Sequence, residues 1–204
     1  MNTEITIHPK LQHYGLVTAN LAAMTDWYRK VLGMTVNHRL APASGAQKGP
    51  PFSAAFVSND EVHHRIVFFE MPGLLADPDR SRHMRLQHIA FEYDTLDDLL
   101  GTYVRLKGLG ILPVMAGDEG IQTSLYYRDP DGNNVELNVN NYGNDWTATE
   151  HMKAAPSDRA NLVFVDPDQM SAARQAGASP WEVHERAVAG EFAPTTPYDL
   201  RGFF

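Results

Sequence analysis

Two stretches of the chain carry the same pattern of apolar and polar positions. Leu11-Gln12-His13-Tyr14-Gly15-Leu16-Val17 matches Leu86-Gln87-His88-Ile89-Ala90-Phe91-Glu92, and each block reads as a strand. Behind each block, apolar residues recur three and four positions apart, the period of one helix face. In the first copy Asn20 is the N-cap, Leu21, Met24, Tyr28, Val31 and Leu32 form the stripe, and Gly33 ends it. In the second, Thr95 caps with Asp98 three residues on, Leu96, Leu99, Leu100, Tyr103 and Leu106 form the stripe, and Gly108 ends it. A cap before and a glycine after bound each helix.

Strand-like runs follow both helices: Met34–Leu40, Ala54–Ser58 and His64–Glu70, then Leu112–Met115, Thr123–Arg128 and Asn134–Asn140. The last two are joined by Asp129-Pro130-Asp131-Gly132, a hairpin turn. The unit is strand–helix–three strands, used twice, over residues of about 10–75 and 84–140. This predicts an α+β domain over residues 1–140, two tandem βαβββ modules forming one cupped mixed sheet around a cleft. The stretches Ala41–Pro51 and Met71–Arg82, rich in Pro and Gly, read as loops. Residues 141–204 belong to neither copy. They hold a helix begun by Ser179, Pro180 and Glu182 in a capping box and ended by Gly190, and a weaker helix over Asp166–Ala176. Trp181, Phe192 and Tyr198, with the apolar end Leu200, Phe203 and Phe204, predict that this tail packs on the barrel or on a second subunit.

Composition narrows the chemistry. The 204 residues suffice for a core that needs no staples. There is no cysteine, which excludes disulfides, zinc–thiolate and iron–sulfur centres and a thiol nucleophile. A net charge of -8 argues against nucleic acid or an anionic membrane as the partner. No apolar run approaches the ~20 residues of a membrane span. Met-Asn-Thr-Glu-Ile-Thr lacks the basic and apolar start of a signal peptide, so a cytoplasmic protein is expected.

Nine histidines without cysteine point to imidazole-based metal chemistry. His13 and His88 hold the same place in the two copies. Glu136 lies in the apolar run Asn134-Val135-Glu136-Leu137-Asn138, where a carboxylate is costly unless paired or metal-bound. Two imidazoles and one carboxylate match the facial triad of non-haem Fe(II) oxygenases, which leaves coordination positions open.

At this point the chain resembles a family. The paired modules, the two Leu-Gln-His blocks and Tyr126-Tyr127-Arg128-Asp129-Pro130-Asp131-Gly132-Asn133-Asn134-Val135-Glu136 are similar to the vicinal oxygen chelate superfamily, whose members share the glyoxalase/bleomycin-resistance/dihydroxybiphenyl dioxygenase fold. Within it, His63-His64-Arg65-Ile66-Val67-Phe68 resembles a segment of type I extradiol ring-cleavage dioxygenases. The tail residues Val165-Asp166-Pro167-Asp168 and Ala178-Ser179-Pro180-Trp181-Glu182 look like those of small single-barrel members grouped with 2,3-dihydroxybiphenyl dioxygenases. The resemblance implies an Fe(II) enzyme, with Mn(II) compatible with the same donors, that opens a catecholic ring beside its hydroxyls using O2. It implies His13, His88 and Glu136 as ligands, His64 as acid/base, Tyr126 as a hydrogen-bond donor to the substrate oxygen, and a homo-oligomer.

Two departures stand out. The dioxygenases carry a further histidine just upstream of the tyrosine. Here that place reads near Gly117, among Asp118, Glu119, Gln122 and Thr123, so either the tail supplies a substitute, with His151 and His184 as candidates, or the substrate is oriented differently. Glu70 falls roughly where glyoxalase-type relatives carry a fourth ligand, which keeps a metal-dependent isomerase or lyase as an alternative, beside a metal-free binding module. Strand alternation puts His64 with Ile66, Phe68 and Glu70 and puts His63 on the other face, so only one of the two histidines is expected in the site.

Overall fold

A computed structural model describes residues 7–43, 49–156 and 162–203. The opening hexapeptide, the middle of the Ala41–Pro51 loop and Phe204 lie outside the described residues. The chain divides into two compact units, Met1–Ala76 and Asp77–Phe204.

The first unit is one βαβββ module: β1 (Tyr14–Thr18), α1 (Leu21–Leu32), β2 (Thr35–Leu40), β3 (Ser53–Ser58) and β4 (Ile66–Glu70). Its sheet runs β1-β4-β3-β2, with β1 and β4 parallel. The helix forms where the spacing places it. Asn20 accepts from the Ala23 backbone amide and Gly33 closes the last turn at φ 66, the left-handed geometry that glycine adopts freely. Met24, Tyr28 and Val31 turn inward and are almost wholly buried. The Tyr28 ring packs 5.0 Å from Phe68. Each such side chain contributes roughly 1.5–3 kcal/mol on burial.

The second unit repeats the plan: β5 (His88–Tyr93), α2 (Leu96–Gly108), β6 (Met115–Asp118), β7 (Gln122–Arg128) and β8 (Asn134–Asn140). Thr95 caps α2 by accepting from the Asp98 amide. Its order is β5-β8-β7-β6-β9, where β9 (Val163–Phe164) comes from the tail and pairs antiparallel with β6. In hydrogen-bonding terms the single cupped sheet expected is therefore two sheets, one per module. In each, the first strand pairs with the last, so the module's ladder is completed from its own strands.

The tail continues the second unit through α3 (Asp145–Ala154), α4 (Pro167–Gln175) and α5 (Pro180–Val188). The capping box at Ser179 and Glu182 forms as read from the sequence. Helix α4 docks on α2, where Arg174 Nη2 meets Asp97 Oδ2 at 2.6 Å. Near the C-terminus, Phe203 enters a buried cluster with Met115 and Tyr126. Its ring stands edge-on to Tyr126, 5.1 Å between centroids.

Two elements of the second unit differ from the sequence reading. The strand expected at Leu112–Met115 begins at Met115, because Pro113 has no N–H for a ladder and Leu112 is exposed. Helix α3 has no apolar stripe to announce it: Ala148 is its one buried residue and Trp146 is 80% exposed. No described helix is long and apolar enough to cross a membrane.

Candidate metal centre and substrate pocket

His88 opens β5, and its register partner on β8 is Asn134; two residues on, Ala90 pairs with Glu136. Alternation puts His88 and Glu136 on one face, while Val135 and Leu137 face the helix side and are completely buried. His88 Nε2 lies 3.0 Å from Glu136 Oε2. Glu136 is 1% exposed. Its other oxygen, Oε1, accepts from Gln122 Nε2 at 2.7 Å, Ser124 Oγ at 2.8 Å and Asn138 Nδ2 at 3.1 Å.

The Gln87 side chain decides what His88 presents. Its amide nitrogen donates to the Phe203 carbonyl at 2.9 Å, so its oxygen faces His88 Nδ1 and accepts from it. That leaves the Nε2 lone pair turned toward a carboxylate oxygen. Two electron-pair donors 3.0 Å apart need a positive charge between them. Their separation equals that of two ligands at right angles, each about 2.1 Å from one ion. The donor set and its geometry fit a metal ion.

The first unit prepares His13 in the same way. Gln12 Oε1 accepts from His13 Nδ1, and Gln12 Nε2 donates to His63 Nε2 at 2.8 Å. In both units a glutamine oxygen thus engages Nδ1 of the following histidine, which fixes the ring tautomer and keeps Nε2 clear of the glutamine; a metal-bound histidine is commonly held this way. Neither unit by itself gathers a group of three metal-binding side chains among the described residues.

His64 lies beside His13, with ring centroids 4.3 Å apart, and edge-on to Phe56 at 5.1 Å. Burial, then the neighbouring His13 and His63, hold its pKa below the usual histidine value. The alternation argument does not reach it. Residues 61–65 form a bend and β4 starts at Ile66, so His63 and His64 turn together. Their rings are 4.4 Å apart and their Nδ1 atoms meet. His63 is therefore a neighbour of the site and not a residue of the opposite face.

Glu70 is spoken for. Its Oε1 accepts from the Leu21 backbone amide at 2.9 Å, at the start of α1. It shares the helix-side face with Ile66 and Phe68, both fully buried. The opposite face carries Gly15, Val67 and Phe69, the last two being the nearest side-chain neighbours of a Cβ placed on Gly15. The register makes the point independently: Gly15 pairs with Val67 where Ala90 pairs with Glu136. Val67, not Glu70, is the counterpart of Glu136.

Tyr126 lines a cavity of about 620 Å³ in the second unit, with His88, Met115, Glu119, Leu162 and Phe203 among its walls. The hydroxyl expected to donate to substrate instead donates to Glu119 Oε1 at 2.9 Å. Burial, followed by Glu136 and Glu119, pushes the Tyr126 pKa far up. Glu119 was not singled out by sequence reasoning as a site residue. It flanks a two-residue hairpin, pairing with Gln122 across Gly120 and Ile121, and Gly120 takes φ 83, which suits glycine at the first turn position. That turn aims Glu119 back along β7. Between them lies Gly117, opposite Ser124. It has no side chain to block the carboxylate, and a Cβ there would fall 2.4 Å from Leu162 Cδ1.

The two histidines considered as substitutes part ways. His151 stacks on Tyr142, rings 4.1 Å apart, and lines the cavity. His184 instead ties α5 to β6: its Nδ1 meets Asp118 Oδ2 at 2.8 Å, and both residues are buried.

Two βαβββ modules, each with a glutamine-braced histidine at its first strand and one adding a buried carboxylate on its last, define a chain of the paired-module α+β class. The chain belongs to the Glyoxalase/Bleomycin resistance protein/Dioxygenase superfamily, whose profile matches residues 10–137. It is 36% identical over 187 residues to biphenyl-2,3-diol 1,2-dioxygenase 3 of Rhodococcus globerulus, covering 91% of this chain and 92% of that one. It is 35% identical over 195 residues to biphenyl-2,3-diol 1,2-dioxygenase 2 of the same organism, covering 95% and 96%. A solved glyoxylase/bleomycin resistance protein/dioxygenase domain from Frankia sp. EAN1pec superposes with a TM-score of 0.54 at 21% identity, over 66% of this chain and 93% of that one; this likeness concerns the fold alone.

Proposed function

We propose that this chain is an extradiol ring-cleaving dioxygenase acting on an aromatic vicinal diol of the biphenyl-2,3-diol kind with O2, and that His13, His88 and Glu136 hold its Fe(II), with Mn(II) compatible with the same donors. The observation that carries the metal assignment is the facing pair of His88 Nε2 and Glu136 Oε2, with His88 Nδ1 already bonded to Gln87 and Glu136 Oε1 already accepting three hydrogen bonds. Likeness to two biphenyl-2,3-diol 1,2-dioxygenases over nine-tenths of the chain supports the reaction.

A metal ion held by His13, His88 and Glu136 would supply Lewis acidity toward the diol. The chain's own residues do the rest. Met115, Leu162 and Phe203 give the cavity apolar walls that bury a second aromatic ring and exclude water. Burial and the neighbouring His13 and His63 hold the His64 pKa down, which favours the neutral ring that can accept a proton early and return it late, work that contributes ~10²–10⁴ in rate. Tyr126 and Glu119 fix the polar edge of the ring.

The test is anaerobic Fe(II) reconstitution followed by oxygen uptake with a panel of catechols. One oxygen consumed per diol, with a yellow ring-opened product, is expected. A metal-loaded protein that consumes no oxygen with any diol would overturn the reading. Sedimentation of the same sample tests the expected homo-oligomer.

A further inference from the structure

The chain from Tyr198 to Phe203 is tied to the second unit at several points. Tyr198 Oη donates to the Val165 carbonyl at 2.7 Å, and the Arg201 carbonyl accepts from Arg128 Nη2 at 3.3 Å. The Phe203 amide donates to the Leu200 carbonyl at 3.0 Å, closing a four-residue turn in which Gly202 takes φ 71. That is the left-handed region, open to glycine and, more readily than to most residues, to asparagine. A Cβ on Gly202 would find Arg128 Nη2 at 3.8 Å, an ordinary contact, so conformation and not space reserves this position. The turn carries the Phe203 ring into its cluster with Met115 and Tyr126 and brings the Phe203 carbonyl beside the neighbours of His88. That carbonyl accepts from Gln87 Nε2 at 2.9 Å, Asn134 Nδ2 at 3.1 Å and Arg85 Nη2 at 3.3 Å. Gln87 precedes His88 in the chain, and Asn134 is the register partner of His88 on β8.

We propose that Phe203 is a positioning residue for the metal centre: its main-chain carbonyl, delivered by the turn at Gly202, sets the Gln87 amide and through it the His88 ring, so that docking of residues 198–203 and binding of a divalent cation favour one another. This rests on the assignment of His88 and Glu136 as ligands. The Gln87 amide has a nitrogen end that donates and an oxygen end that accepts. While the Phe203 carbonyl holds the nitrogen, the oxygen is left for His88 Nδ1. Without that carbonyl the nitrogen loses its acceptor, and a turned amide offers Nδ1 a donor. The ring proton then sits on Nε2, the atom that faces Glu136. A cation that binds the first arrangement better holds the tail down by the same factor by which the tail improves its binding.

The experiment measures Mn(II) affinity of the intact chain by competition with a fluorescent chelator, so that turnover plays no part. Gly202→Val opposes the left-handed turn while leaving Phe203 and Gln87 in the sequence. It is expected to weaken Mn(II) binding about tenfold, the lower end for losing the partner of a metal-bound imidazole. Gly202→Asn, which tolerates the turn, stays within about threefold of the wild type. In a Gln87→Ala background Gly202→Val costs less than about twofold more, because the carbonyl acts through Gln87; a tail that merely stabilises the fold gives the same loss in both backgrounds. Hydrogen exchange of the unmutated chain covers the case of a Gly202→Val protein that circular dichroism shows to be misfolded. The amides of residues 200–203 are expected to exchange at least about fivefold more slowly with Mn(II) than without. The proposal is overturned, and the ligand assignment left standing, by any of four results in a wild type that binds Mn(II): affinity unchanged within twofold in folded Gly202→Val, Gly202→Asn no better than Gly202→Val, equal losses in both backgrounds, or tail exchange indifferent to the metal. A wild type that binds no Mn(II) overturns the ligand assignment and this proposal with it.

Discussion

His88 Nε2 faces Glu136 Oε2 at 3.0 Å, one electron-pair donor against another. A proton or a metal ion must sit between them, and the two compete. Metal uptake is therefore expected to release protons and to weaken as the pH falls, which a pH-stat titration with Mn(II) measures. Ala at His13, His88 or Glu136 removes metal retention, read as metal content after dialysis. Stoichiometric metal in any of the three variants would break the ligand assignment.

Gln12 and Gln87 hold the two imidazoles by Nδ1. Replacing either by Ala is expected to weaken metal affinity about 10–100-fold, the usual cost of losing such a partner. Competition with a fluorescent chelator reads it directly. Undiminished affinity would mean that the glutamines are packing residues only.

His64→Ala is expected to retain metal and diol while turnover falls roughly 10²-fold or more. His63 accepts from Gln12 and touches His64, so His63→Ala is not silent. Its effect falls on metal affinity, about tenfold, through the loosened Gln12. Equal losses of turnover at equal metal content would contradict this division of labour.

Glu70→Ala removes the acceptor of the Leu21 amide. Denaturant unfolding should show a loss of about 1 kcal/mol, as for other helix-start acceptors, with metal content unchanged. Metal loss from that variant alone would revive the four-ligand isomerase.

Phe203→Ala empties the cluster around Met115 and Tyr126. A stability loss of roughly 3 kcal/mol is expected from urea unfolding, the lower end for a buried phenylalanine. A loss under about 1 kcal/mol would mean that the tail packs loosely on β6 and β7.

Much of this was legible in the chain itself. The duplicated Leu-Gln-His block marks both module starts, and the helix caps at Asn20, Thr95 and Ser179 form as read. Strand β8 has the boundaries expected of it. Periodicity carried those elements because their apolar faces are buried against one partner. It failed at His64, since alternation holds only inside a strand and the chain bends there. It failed at α3, which exposes most of its surface. Glu119 left no local signal beyond Gly120, because its meaning lies in a cross-strand reach over Gly117 to Tyr126. The glutamines were visible as a repeat, but what they do depends on which end of each amide is already engaged.

The pairing of Gly15 with Val67 against that of Ala90 with Glu136 has an evolutionary reading. Duplication begins with two interchangeable halves, and this register marks where they ceased to be so. Valine and glutamate codons differ by a single base, so an acidic position can be gained or lost in the first half in one mutational step. The difference between two chemistries of one fold then rests on a single side chain at one rung of a ladder, with no change of backbone required.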